Sequence, residues 1–340
     1  MERLKIFGVP GSPYTRKMLA LLRYKCIPYK VYWGDVTKKL NDLNIVPPTP
    51  LLLPVIIFKD NNNDIAITDS TPIIRRLEKD FPQRKVIPDD PALAFINYLL
   101  EDFGDEWVTK YMFHYRWYFK EDSDKASTIL PLADLKINLS DKLHNEIKDF
   151  IANRQIERLW VVGSSDITAK LIDRSYKRFL NYLNDHFKNS EFLFGTNPSS
   201  ADFAIYGQLT QLIGFDPTSR NIAHDIAPRV IAWIEIMEDL SGLSKNFNWT
   251  KLEDCPLTLK NLLCEFGRMY APALIENAKA VEKNMDTWEI SIDGSIWSQK
   301  TFNYQAKCLN WIKNEFNQLN NKDKDRVKIF LDETGCGSIL

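Results

Sequence analysis

The chain has 340 residues, 44% of them hydrophobic, 12% aromatic and 26% charged; this is the range of ordinary globular proteins and excludes disordered, collagenous and coiled-coil classes. At roughly 150 residues per domain it reads as two domains with an appendage. Lys plus Arg number 44 and Asp plus Glu 45, a net charge of −1, so no global field draws nucleic acid or an anionic membrane. The longest apolar run, residues 51–58, is broken by Pro54 and falls far short of the ~20 residues that span a bilayer. The first residues carry no secretory pattern, so a cytoplasmic location is expected. Five scattered cysteines, with no Cys-x-x-Cys pair, read as reduced thiols and hold no metal.

In chain order, Lys5 to Gly8 predicts a strand, Val9-Pro10-Gly11 a turn, and residues 13–24 a helix. Tyr29 to Trp33 predicts a second strand, followed by a polar, Pro-rich connection. Val55 to Phe58 and Ile65 to Ile67 predict two more, joined by the turn chemistry of Asn61-Asn62-Asn63-Asp64. A helix over 71–79 closes this unit, and the prolines of 81–91 mark a linker. Helical periodicity then runs over about 91–120, 143–159, 166–186, 200–213 and 228–240, with an expanded connection from about 121 to 165. After about Asn246 a helical pair is followed by Trp288, Ile290 and Ile292 in alternation up to Asp293-Gly294, a strong hairpin signal.

Three spots combine cap chemistry with ligand chemistry. Gly11-Ser12-Pro13 starts a helix, because Ser is a favoured cap and Pro a favoured first helical residue; a hydroxyl there can also donate to an anion that the helix dipole favours. Leu53-Pro54 enters a strand; an ordinary trans proline fits, whereas a cis bond would leave the Leu53 N–H and C=O free for an extended peptide. Thr68-Asp69-Ser70-Thr71-Pro72 reads as a capped helix start whose Ser70 and free N–H groups suit a carboxylate while Asp69 suits an ammonium.

Together these spots resemble the N-terminal, thioredoxin-like domain of the glutathione S-transferase superfamily, and Phe192-Leu193-Phe194-Gly195 before Ser199-Ser200-Ala201-Asp202-Phe203 is similar to that family's buried N-capping box and core helix. The resemblance spans roughly residues 1–245. It implies an α+β thioredoxin-like domain over 1–84, an all-α glutathione transferase C-terminal-like domain over 91–250, and a C-terminal extension of helices and a hairpin over 251–340.

By the same resemblance the chain binds glutathione as co-substrate. Only about 3% of a thiol of pKa ≈ 8.5 is ionised at pH 7, and Ser12 is the expected donor that stabilises the thiolate for attack on a small hydrophobic electrophile. The Leu53 backbone beside Pro54 is expected to pair with the peptide, and Asp69 with Ser70 to hold its γ-glutamyl end. Tyr14 with Trp107, Tyr111 and His114 is the expected lining of the electrophile site. The last three belong to a stripe with Tyr115 and Tyr118 on one helical face, an arrangement that also suits core; Arg116 is the other polar group to test there. Ser12 stands where thiol-transferase branches carry Cys, and the stretch before Pro54 lacks a basic or amide side chain. Glu101, Asp102, Asp105 and Glu106 form like-charge i,i+4 pairs and are expected on a solvated face, with Glu106 partly offset by Lys110. A homodimer is implied, and a non-catalytic binding or scaffold protein of the same fold is the alternative.

Overall fold

Period-two apolar patterning near the N-terminus and 3.6-residue patterning beyond it divide the chain into a sheet unit and a helical unit. The computed structural model describes residues 3–60, 63–243 and 248–340; the start of the expected turn, Asn61 and Asn62, and the expected onset of the C-terminal helical pair at Asn246 lie outside them. The sheet unit runs β1 (Leu4–Gly8), α1 (Pro13–Tyr24), β2 (Tyr29–Trp33), α2 (Val36–Asp42), β3 (Val55–Asp60), β4 (Asn63–Ile67) and α3 (Ser70–Asp80). Its strand order is β2-β1-β3-β4, with β1 parallel to β2 and antiparallel to β3, Ile6 opposite Ile56. This is the thioredoxin-like arrangement that the resemblance implies. Alternation assigns the faces: Ile6, Ile56 and Phe58 pack with α1 and α3, while Phe7, Val55 and Ile57 pack with Val36 and Leu40 of α2. Helix α2 occupies what reads in sequence as a connection. Its signals, an Asp35 cap accepting from Lys38 N and the buried pair Val36 and Leu40, are present but outnumbered by polar residues.

The helical unit begins with α4 (Pro91–Phe103), which passes through a π-helical turn, Gly104–Val108, into α5 (Thr109–Tyr118). Then come α6 (Lys120–Asp134), α7 (Asp141–Ile156), α8 (Ala169–His186), α9 (Ser200–Leu212), α10 (Pro217–Ile226) and α11 (Pro228–Met237). Two of these correct the sequence reading: α6 fills the start of the expanded connection, and α10 was not expected. Helix α9 is buried over nearly its whole length. It starts at the expected capping box, in which Ser199 Oγ accepts from Asp202 N and Asp202 Oδ2 accepts from Ser199 N at 2.8 Å.

The extension contains α12 (Leu257–Glu265), continued through a second π-helical turn into α13 (Ala271–Glu282), then β5 (Thr287–Ile292), β6 (Ser295–Lys300), α14 (Asn303–Gln318) and α15 (Asn321–Glu333). The expected hairpin is present, with Asp293 and Gly294 both at positive φ, as a type I′ turn requires. Its Trp297 packs on Trp107, and Phe316 of α14 on Phe95 of α4, so the extension lies against the helical unit.

The two units meet where α1 crosses α9. A Cβ on Gly207 would come within 2.6 Å of Pro13 O and 2.9 Å of Lys17 Cβ, so the missing side chain sets how closely the helices approach. Gly207→Ala is expected to destabilise the chain by about 1–3 kcal/mol through overpacking, read as a lower urea midpoint with an unchanged slope.

Candidate functional site

Along the seam between the two units lies a cavity of about 880 Å³, walled by the 50–53 loop, the start of α3, the α4–α5 stretch, the turn near Val161 and one face of α14. This volume is in the range of small-molecule sites. Among the expected site residues, Tyr14, Leu53, Asp69 and Ser70 line it. The Leu53–Pro54 peptide is cis, as is Thr49–Pro50. Next to it, Leu52 is paired through both backbone groups with Thr68 Oγ, whereas the Leu53 N–H and C=O have no partner among the described residues.

Asp69, at φ 74°, caps α3 by accepting from Thr71 N, and its second oxygen accepts from the Tyr304 hydroxyl of α14 at 3.3 Å. Ser70 is engaged from below, because its Oγ accepts from Lys17 Nζ at 2.9 Å and reaches Asp105 Oδ2 at 3.4 Å. Tyr14 donates to the Asp105 carbonyl. Ser12 caps α1 by accepting from Thr15 N, but it is not among the lining residues. The neighbouring Gly11 N–H donates to Asp134 Oδ1 at 2.8 Å, so the end of α6 rests on this loop.

The aromatic stripe is core from Trp107 to Tyr115, and Tyr118 is half-buried. Trp107 donates to Tyr111, which shares a 2.6 Å hydrogen bond with Ser175; neither ring reaches the cavity wall. His114 is fully buried, hydrogen-bonded to Ser164 through Nδ1, with Nε2 unpartnered among the described residues. Burial holds its ring down to about 4, so it is neutral at physiological pH. Arg116 is committed to Asp216 and Gln211. These residues face the helical core because the α4–α5 stretch is wrapped by α8, α9 and the hairpin, which leaves one narrow strip for the cavity.

The acidic residues expected on a solvated face are instead turned inward. Glu101, Asp102 and Asp105 are buried, and Lys17, fully buried on α1, is 2.9 Å from Glu101 and 2.7 Å from Asp105. Burial alone would lower the Lys17 ammonium, but Asp105 and Glu101 hold it above its usual value. Burial opposes ionisation of Glu101, but Lys17 together with the Ser200 and Thr71 hydroxyls holds it below the usual carboxylate range; burial pushes Asp102 up to about 7 although Tyr270 donates to it at 2.7 Å. Burial, together with Asp102 and Asp105, pushes Glu106 well up, while burial lowers Lys110 to about 8. Lys110 bonds Gln305 across the cavity rather than Glu106.

Sequence reasoning missed Lys17, Lys110 and Tyr304. Lys17 shares a helical face with Leu21 and Tyr24, a signal that it is buried. For Tyr304, the spacing with Cys308, Trp311 and Glu315 marks a face, but nothing in sequence says which wall that face meets.

Asp102 binds its proton more tightly folded than unfolded, so its contribution is fully present below its usual 3.8 and is lost as pH rises through about 7. Asp102→Asn is therefore expected to raise the urea midpoint relative to wild type more at pH 7.5 than at pH 5. Parallel midpoints at the two pH values would refute this.

Comparison with known proteins agrees with this architecture. A family model described as glutathione S-transferase, N-terminal domain, matches residues 6–85, and one described as glutathione S-transferase, C-terminal domain, matches residues 163–247. Glutathione S-transferase U7 of Arabidopsis thaliana is 23% identical over 171 residues, 50% of this chain and 69% of the relative. Glutathione S-transferase U6 of the same plant is 26% identical over 90 residues, covering 26% of this chain and 39% of its own length. Solved structures that resemble it include FzlA from C. crescentus, 14% identical over 69% of this chain and 88% of that one, with a TM-score of 0.44. Another is a glutathione transferase family member from Pseudomonas fluorescens pf-5 with two glutathione bound, 16% identical with the same coverages and TM-score. The sheet topology, the capped core helix and the two family matches agree that residues 6–85 and 163–247 are the N-terminal and C-terminal domains of the glutathione S-transferase superfamily.

Proposed function

We propose that this chain binds glutathione at the sheet end of the cavity and transfers it to a small hydrophobic electrophile held against the helical wall. The observation that carries this reading is that Leu53, Asp69 and Ser70 line one hollow with the apolar faces of Phe113, Val161, Val162 and Trp311. The unpaired Leu53 backbone suits an extended peptide. Asp69, at the N-terminus of α3, suits an ammonium beside a carboxylate bound to the helix N–H groups. Ser12 is the proposed thiolate donor: among the described residues its hydroxyl accepts from Thr15 N and has no acceptor for its own proton. Lowering a thiol pKa by about 2 units takes roughly 2.7 kcal/mol, within reach of one charge-assisted hydrogen bond plus a helix terminus.

A second reading is favoured by a specific observation. The polar groups assigned to glutathione already have internal partners, Tyr304 on Asp69 and Lys17 on Ser70, which suits a fold retained for binding or scaffolding without turnover. A cytoplasmic homodimer belongs to the proposal as well. However, α14 and α15 pack on α4, with Arg326 bonded to Asp90 and Arg75 of α3 to Glu315, so a dimer through α3 and α4 would have to displace them or use what they leave uncovered.

Millimolar glutathione is expected to raise the thermal midpoint by several degrees, since a ligand at 100 times its Kd adds ≈ 2.7 kcal/mol. Asp69→Ala should abolish the shift. Ser12→Ala should keep it while slowing conjugation of an activated aryl halide roughly a hundredfold. A shift without any Ser12-dependent turnover would favour the second reading, and no shift would overturn glutathione binding altogether.

A further inference from the structure

Among the described residues, Lys110 is the one cationic side chain on the cavity wall that is almost wholly enclosed, at 2% exposure. It lies 5.5 Å from the Trp107 ring centroid and 5.8 Å from that of Trp297. Its Nζ makes a single hydrogen bond among the described residues, a long one of 3.4 Å to Gln305 Oε1. Other buried lysines of this fold are held differently: Lys17 has two carboxylates and a hydroxyl, and Lys25 has Glu78 at 2.6 Å plus two carbonyls. An ammonium that is desolvated and left without a counter-ion sheds its proton more readily, and a neutral lysine amine in an apolar pocket is a nucleophile toward carbonyl carbon. One helical turn earlier Glu106 lines the same cavity, and its neighbours Asp102 and Asp105 oppose its ionisation.

We propose that Lys110 captures apolar aldehydes entering the cavity as a reversible imine, with the Glu106 carboxyl as the proton donor. The neutral Nζ attacks the carbonyl carbon, a C–N bond forms as the C=O π bond breaks, the oxygen takes a proton from Glu106, and the nitrogen returns one to the Glu106 carboxylate to give a neutral carbinolamine. Loss of water then leaves the C=N bond, so the balance is one aldehyde plus one amine giving one imine plus one water, with no oxidant or reductant. The aromatic and aliphatic lining, Tyr98, Phe113, Val162, Phe302 and Trp311, selects an apolar body behind the carbonyl. Among the described residues Gln305 is the one side chain bonded to the amine, and it sits on the first turn of α14. Capture needs no glutathione, so this inference stands or falls apart from the reading above.

The test uses the full chain with an aromatic aldehyde such as cinnamaldehyde and cyanoborohydride at pH 7.5, followed by peptide mass spectrometry. Burial lowers Lys110 to about 8 against ≈ 10.4 for an ordinary lysine, so its neutral fraction is on the order of a hundred times larger. The reduced adduct is expected at Lys110 first, at least about tenfold ahead of any exposed lysine. Gln305→Ala should speed labelling at Lys110, and Glu106→Gln should slow it about tenfold or more, in keeping with the loss of a general acid. Lys110→Met should abolish the early adduct, and an unchanged near-ultraviolet circular dichroism spectrum checks its fold. Labelling spread evenly over exposed lysines, or a Lys110 adduct no faster than theirs in both wild type and Gln305→Ala, would overturn the proposal. Glu106→Gln labelled at the wild-type rate would overturn the assignment of the donor.

Discussion

The ammonium of Lys17 is the charge around which the seam of this molecule is organised. It rises from the middle of α1, reaches Glu101 on α4 and Asp105 on the π-helical turn, and bonds Ser70 at the start of α3. The chain around residues 17, 70 and 101–105 is thereby tied to one fully buried nitrogen. A buried charge with well-placed partners is tolerated, whereas one stripped of a partner costs about 3–5 kcal/mol. The seam is therefore fixed in geometry by an electrostatic need, and the hydrophobic surfaces of α1 and α9 close around it because Gly207 lets them approach.

The same need shapes the cavity. One ammonium bonds two of the four carboxyls on the α4–π-turn segment, Glu101 and Asp105; burial, with the neighbouring carboxyls adding to it, pushes Asp102 and Glu106 toward their neutral forms, and burial raises Asp105 too, to about 6, despite its Lys17 partner. The wall they build is rich in carboxyls yet carries less charge than its composition suggests. It meets an apolar roof from α14, and the polar end of the hollow lies beside Leu53 and Asp69. A hollow with one hydrogen-bonding end and one apolar end has room for a polar, extended group and an apolar one side by side.

Much of this was legible in the amino-acid sequence wherever local chemistry decides the structure. The Ser12 and Asp69 caps, the alternation of β1 and β3, the Ser199–Asp202 box and the Asp293–Gly294 turn are each set by a few neighbouring residues. Helix α2 was hidden because its polar residues outweigh two apolar ones, and α6 because its polar first turns and Pro131 mask the apolar residues it buries. The burial of Glu101, Asp102 and Asp105 was not legible, since their partners come from α1 and from the π-helical turn before α13, and no spacing along one helix reveals a partner donated by another. For the same reason Trp107 and Tyr111 read equally well as core or as pocket, and only the packing of α8 and the hairpin assigns them to core.

Tyr304 reaches Asp69 from a helix 235 residues further along the chain, and so it joins the cavity to the order of α14. The roof is contributed by a segment that follows both the sheet unit and the helical unit in the chain. Occupancy of the hollow and docking of α14 are then two sides of one equilibrium: a ligand that fits beneath the roof draws the helix down, and a helix held down excludes ligands too large for the space left. In this chain the selectivity of the pocket and the stability of its C-terminal extension are a single thermodynamic property.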